Sequence, residues 1–138
     1  MRKDLFILAW FMMCGLPLLS SAVPIVGRIL VQSAFAKIAL VAAVVLFGFT
    51  LLMTVAYFNE MTAVKVFYTA AGVAPLHHIL LLRHLYKSFY KNHGRNPRSA
   101  SRFSPQADRE FASTNMLLGA CPYLVIALII SYLAKHGY

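Results

Sequence analysis

Four long stretches of the chain contain no charged residue, and this feature limits the fold more than any other. They cover residues 5–27, 38–58, 66–82 and 111–134 and are between 17 and 24 residues long. A helix needs about 20 apolar residues to cross a bilayer, with a range of roughly 17–25. In hydrocarbon the backbone must satisfy its own hydrogen bonds, and continuous apolar runs exclude the alternation of a β-barrel. The sequence therefore predicts an all-α, integral membrane helical bundle.

The charge of the chain limits the classes of partner that it can bind. Only 12% of the residues are charged, whereas a soluble domain carries about 25%. The net charge is nevertheless +9, which on an apolar chain favours contact with anionic lipid headgroups. Nucleic acid is excluded as a partner because no soluble basic fold remains outside the apolar runs. Cys14 and Cys121 stand alone in such runs, a spacing that predicts no metal site and no disulfide.

We predict a single multi-pass membrane domain over residues 1–138, with four transmembrane helices. The spans lie at about residues 5–26, 30–58, 66–83 and 115–134, and residues 84–113 form a basic cytoplasmic segment. Seven of the thirteen Lys and Arg residues lie between residues 83 and 109. The positive-inside rule places such a loop in the cytoplasm. With four spans, both termini then lie outside a bacterial-type inner (plasma) membrane.

The N-terminal run has two other interpretations. Gly15, Pro17 and Pro24 interrupt it, so it could fold into a re-entrant or surface hairpin and leave three true spans. It also fits a cleaved signal peptide, with a basic start and small residues at 20–22. Cleavage would export the basic loop, which the positive-inside rule disfavours.

Within the basic segment, the third helix is expected to extend beyond the bilayer and to end at Gly94, since glycine readily adopts the left-handed conformation of a helix end. A short basic connector without a core follows. Ser104 and Pro105 then start a short amphipathic helix, and a break at residues 113–115 precedes the last span. The cations with helical spacing on the third helix, together with those of the connector, are the candidate lipid- or partner-binding residues: Arg83, Lys87, Lys91, Arg95, Arg98 and Arg102.

The histidines of the third span suggest a different kind of site. His77 and His84 are seven residues apart and share a helix face, and ionisable residues within membrane segments are functional candidates. The pattern His77-x5-Arg83-His84 resembles a segment of the cytochrome b subunits that anchor succinate dehydrogenase. The resemblance implies that His77 would ligate haem b, with Arg83 and His84 beside the propionates. Residues 79–82 lack the glycine that lets haem approach in that family.

No catalytic motif accompanies these features, so we predict a protein that is not an enzyme. The first hypothesis is a non-catalytic inner-membrane protein that acts through helix association and a basic cytoplasmic loop. Such a protein would be a small subunit of a membrane complex, or an immunity or exclusion factor. Its partners would be anionic headgroups and other membrane subunits or a second copy of itself. The alternatives are a haem- or quinone-binding anchor that uses His77 and His84, and a small oligomeric channel or transporter.

Overall fold

The computed structural model describes residues 3–32, 34–56 and 62–138. This part of the chain contains helices and no β-strand. The elements in chain order are α1 (Lys3–Trp10), a π-helical turn (Phe11–Gly15), α2 (Leu16–Ala22), α3 (Pro24–Gln32), α4 (Phe35–Ala56), α5 (Thr62–His93) and α6 (Gln106–Lys135).

Three helices, α4, α5 and α6, are long and apolar enough to cross a membrane. The all-helical class and the membrane character predicted from the sequence are thereby confirmed. The N-terminal part differs, because Ile7–Ala22 and Pro24–Gln32 meet the same criterion only together and are bent by 107° at their junction. A bent pair of this kind is either a broken span or a re-entrant loop.

The bend arises at Val23 and Pro24. Val23 has an extended backbone, with φ −122° and ψ 92°. The ring of a proline disfavours the helical conformation in the residue before it, so α2 ends at Ala22. Pro24 then starts α3, because the first helical turn needs no N–H donor from its first residue.

Helix α5 is the core helix of the bundle. In its most apolar stretch 44% of the residues are buried, against 6% for α4 and 17% for α6. Phe67, Ala70 and Ala74 of α5 pack with Met13 of the π-helical turn and with Tyr123 of α6. The other helices therefore cover α5, and the exposed apolar side chains of α4 and α6 face outward.

Contacts at both ends give the direction of the N-terminal segment. Trp10 contacts Phe67 in the first part of α5, with ring centroids 6.1 Å apart, and the Tyr86 hydroxyl near the end of α5 donates a hydrogen bond of 3.2 Å to the Pro24 carbonyl. Residues 7–22 therefore run in the same direction as α5, with α3 turned across its far end.

The helix bounds correct two details expected from the sequence. The break expected at residues 113–115 is wrong, since α6 is continuous from Gln106 to Lys135. Asn115 does not cap a helix but donates hydrogen bonds to the hydroxyls of Ser20 and Ser21, at 3.0 and 2.7 Å. Residues 30–32 of the expected 30–58 span belong to α3, α4 begins at Phe35, and residues 57–58 lie outside the described residues.

Candidate functional site

Residues 84–113 form a compact helical stub, which consists of the end of α5, the connector 94–105 and the start of α6. Aromatic rings hold the two helices together. Phe111 of α6 meets Tyr86 and Phe89 of α5 edge to face, with ring centroids 5.2 and 5.6 Å apart. Tyr86 and Phe89 are buried. The stub therefore has an apolar base of its own.

Gly94 ends α5 as predicted. Its φ is +64°, in the left-handed region, and its N–H donates to the Tyr90 carbonyl over 2.8 Å. The positive φ turns the chain out of the helix without the steric cost that a Cβ would add.

Asp108 organises the connector. Its fully buried carboxylate accepts two hydrogen bonds from the Arg95 guanidinium, at 2.9 and 2.7 Å, and one of 2.8 Å from the Arg98 backbone N–H. The hydrogen-bonded Arg95 guanidinium holds the pKa of Asp108 below its ordinary value. These three bonds fold the connector back on the start of α6. Pro97 within the connector is fully buried, so the expectation of a connector without a core is wrong.

Two further contacts tie the connector to α3. Arg28 donates to the Pro97 carbonyl over 3.5 Å. Gln32 and Asn96 form a reciprocal pair of amide hydrogen bonds, at 2.7 and 3.2 Å. The connector is therefore fixed at both Asp108 and α3.

The six candidate cations differ in their surroundings. Arg95 forms an ion pair with Asp108, and Arg83 is half-buried. The side chains that remain exposed are those of Lys87, Lys91, Arg98 and Arg102, and Arg109 is a further exposed cation at the start of α6. The described stub therefore presents a cationic surface on a folded support.

A tight turn forms the tip of the connector. The Ser104 hydroxyl donates to the Ser99 carbonyl and accepts from the Ser101 backbone N–H, both over 2.8 Å. The Ser101 and Ser104 hydroxyls are 3.0 Å apart. These bonds display Arg102 and Phe103 on the outside of the turn, and Phe103 is 93% exposed.

The histidines lie elsewhere, within the bundle. His77 Nδ1 is hydrogen-bonded to the Tyr123 hydroxyl at 3.0 Å, and His84 is exposed. His77, the ligand that the resemblance implies, is thus bonded to Tyr123, and His84, expected beside the propionates, lies in an exposed position. His78, which the sequence pattern did not single out, is only 2% exposed. Its ring is tilted against His77 and edge to face with Tyr123, with ring centroids 5.3 and 5.2 Å apart.

His78 donates a hydrogen bond to the Met13 carbonyl, for which Pro17 has no backbone N–H to offer. In an α-helix the Met13 carbonyl would accept from the N–H of residue 17, but proline has none. The chain instead forms the π-helical turn at Phe11–Gly15, and His78 Nε2–H donates to the Met13 carbonyl over 3.1 Å. His78 Nδ1 has no hydrogen-bond partner among the described residues.

Gly119 allows α2 and α6 to approach each other at this point. A Cβ on Gly119 would lie 3.0 Å from Pro17 Cβ and 3.7 Å from His78 Nδ1. The absence of a side chain at Gly119 therefore lets Pro17 and His78 lie close to the α6 backbone.

Ile79 and Leu82, which occupy the glycine-free stretch, are 3% and 1% exposed, so helix packing covers that side of α5. His77 lies on the other side of the helix and is half-buried. Within residues 3–32, 34–56 and 62–138, no group of three or more His, Cys, Asp or Glu side chains is placed to hold a metal ion.

We expect replacement of His78 by Leu to cost about 1 kcal/mol of stability, because the Met13 carbonyl loses a donor within the membrane. The same replacement in a Pro17→Ala background should cost less, since an alanine at that position supplies the missing helical N–H. The energetic coupling between residues 17 and 78 is obtained from unfolding by SDS in mixed micelles, measured for both single variants and the double variant. Equal costs in the two backgrounds would show that the His78–Met13 bond has no energetic link to Pro17.

No protein-family model, no curated protein and no solved structure matches this chain. Its function is therefore inferred from its own charges, contacts and buried groups.

Proposed function

We propose that the protein is a non-catalytic inner-membrane protein that acts through helix association in the bilayer and through a cationic cytoplasmic stub. It serves as a small subunit of a membrane complex, or as an immunity or exclusion factor. The observation that carries this proposal is the construction of the stub. Asp108 accepts three hydrogen bonds from the connector, so the exposed cations stand on a fixed support.

The proposed topology has four membrane segments, with both termini outside and the stub inside. Residues 7–22 run in the same direction as α5, and α4 and α6 run in the opposite direction. Four crossings in this order bring the stub and α3 to one membrane face and the C-terminus to the other. The exposed cations then lie in the cytoplasm, as the positive-inside rule requires.

Two groups of cations have different proposed roles. Lys87, four residues beyond Arg83 on α5, lies close to the bilayer, where a contact with an anionic headgroup is worth about 1 kcal/mol, and Lys91 lies one turn farther out. Arg98 and Arg102 lie on the connector, farther from the membrane, and are available to a neighbouring subunit. Arg95 has a structural role, because its guanidinium is held by Asp108.

Binding of haem or quinone through His77 and His84 is less well supported than this function. Tyr123 already engages His77 Nδ1, and His84 is exposed. We propose that the His77–His78–Tyr123 cluster joins the N-terminal segment and α6 to α5.

The function is tested by reversing charge on the connector. We expect the combined change Arg98→Glu and Arg102→Glu to weaken assembly at least tenfold, measured as the share of the protein that migrates in a larger species in mild detergent. Lys37→Glu is the matched control, because Lys37 is an exposed cation on α4 and not on the connector. A protein that migrates alone, or whose assembly is unchanged by the double reversal, would contradict the proposal.

A further inference from the structure

Phe103 is the most exposed large apolar side chain of the described residues, with an exposed fraction of 93%. It stands next to the exposed Arg102 on the turn that Ser101 and Ser104 fix by hydrogen bonds. A turn already held in one conformation loses little entropy when a partner binds it.

The depth of Phe103 follows from placing the apolar part of α6 along the bilayer normal. This part, from Met116 to Ala134, spans about 28 Å at 1.5 Å per residue, which matches the hydrocarbon thickness. Gln106 is ten residues before Met116, so in this placement it stands about 15 Å above that boundary. The headgroup layer is only about 5–7 Å deep. In this placement the connector that carries Phe103 begins beyond the headgroup layer.

The exposed charge around the tip is mainly positive, with Glu110 as the one exposed acid among the described residues there. Arg98, Arg102 and Arg109 are exposed there. Asp108 is buried and paired with Arg95, and Glu110 accepts a hydrogen bond from Gln106 at 2.6 Å. The complementary surface is therefore acidic, since opposite potentials favour association and suppress wrong partners.

We propose that the stub tip docks on an acidic protein surface, where an apolar pocket receives the Phe103 ring and carboxylates pair with Arg98 and Arg102. Aromatic and arginine side chains are enriched among the residues that dominate protein interfaces. This inference rests on the proposed function, because the partner is met at the cationic end of the protein. The competing occupant is an anionic lipid surface.

The lipid alternative is tested by fluorescence in nanodiscs that contain brominated phosphatidylglycerol. Phe103→Trp is introduced into the full chain together with Trp10→Phe, so that residue 103 carries the single indole. We expect acrylamide to quench the emission and brominated lipid to leave it unchanged. Quenching by brominated lipid would overturn the proposal in favour of a lipid surface.

The protein partner is tested in cells with the photoreactive residue p-benzoylphenylalanine at position 103. We expect discrete protein adducts whose crosslinked peptides are rich in Asp and Glu. Their yield should fall at least tenfold with Arg98→Glu and Arg102→Glu and stay unchanged with Lys37→Glu. No protein adduct, or an adduct unaffected by the reversal, would overturn docking at the tip. If the larger species in mild detergent still dissociates on charge reversal, the proposed function stands without this inference.

Discussion

Gly72→Ala is expected to destabilise the bundle by about 3 kcal/mol, at the upper end of overpacking changes. A Cβ at this position would overlap the Thr50 side chain, including Thr50 Cβ itself at 2.6 Å. Because Thr50 Cβ does not move when the side chain rotates, α4 as a whole must shift away from α5. The free energy of unfolding, from SDS titration in mixed micelles, measures the cost.

Gly48→Ala is the matched control. Nothing lies within 4 Å of a Cβ built on Gly48, so this variant should be neutral or gain roughly 0.5–1 kcal/mol from the higher helix propensity of alanine. Thr50→Gly combined with Gly72→Ala removes the clash from the other side and should be more stable than Gly72→Ala alone. If Gly72→Ala and Gly48→Ala behave alike, the close contact between α4 and α5 at Gly72 is incorrect.

Asp108→Asn is expected to open the connector at least tenfold more often, because the charge-assisted bonds from Arg95 and the acceptor of the Arg98 N–H are weakened together. Hydrogen exchange of peptides that cover residues 95–104 reports this opening. Glu110→Gln is the control, since it removes one negative charge from the same helix start while Glu110 is exposed and bonded to Gln106. Similar exchange in both variants would mean that Asp108 does not hold the connector.

The ion pair between Arg95 and Asp108 also predicts how the opening of the connector depends on pH. A carboxyl whose folded pKa is lowered stabilises the fold above its unfolded pKa, and this contribution is lost as the pH falls through the folded pKa. For Asp108 the ordinary value is 3.8 and the folded pKa lies below it. The exchange difference between wild type and Asp108→Asn should therefore persist across neutral pH and disappear only below about 4. A loss near pH 6 would assign the effect to another group.

The membrane class and the end of α5 were predictable from the sequence because they depend on local properties. An apolar run of sufficient length excludes other backbones in lipid, and Gly94 is a single-residue signal for a helix end. Pro24 also marks the bend, since a proline restricts the residue before it.

The expectations that were wrong concern contacts between residues that are far apart in the sequence. Judged from its position in the sequence, Asp108 is an ordinary acidic residue in the first turn of a helix. Nothing in the neighbouring sequence shows that the Arg95 side chain contacts it. Asn115 lies in a polar triplet that suggests a break, but its partners Ser20 and Ser21 belong to the N-terminal segment. The position of Pro17 signals that the Met13 carbonyl lacks its helical donor. It does not show that His78, rather than His77 or His84, supplies one.

The bond between His78 and Met13 also bears on how the protein is made. His78 is 65 residues beyond Met13, so the N-terminal segment is synthesised long before its hydrogen-bond donor exists. Until α5 has been made, the Met13 carbonyl lacks this donor. Packing of the N-terminal segment is thus finished late, by a residue of a later helix.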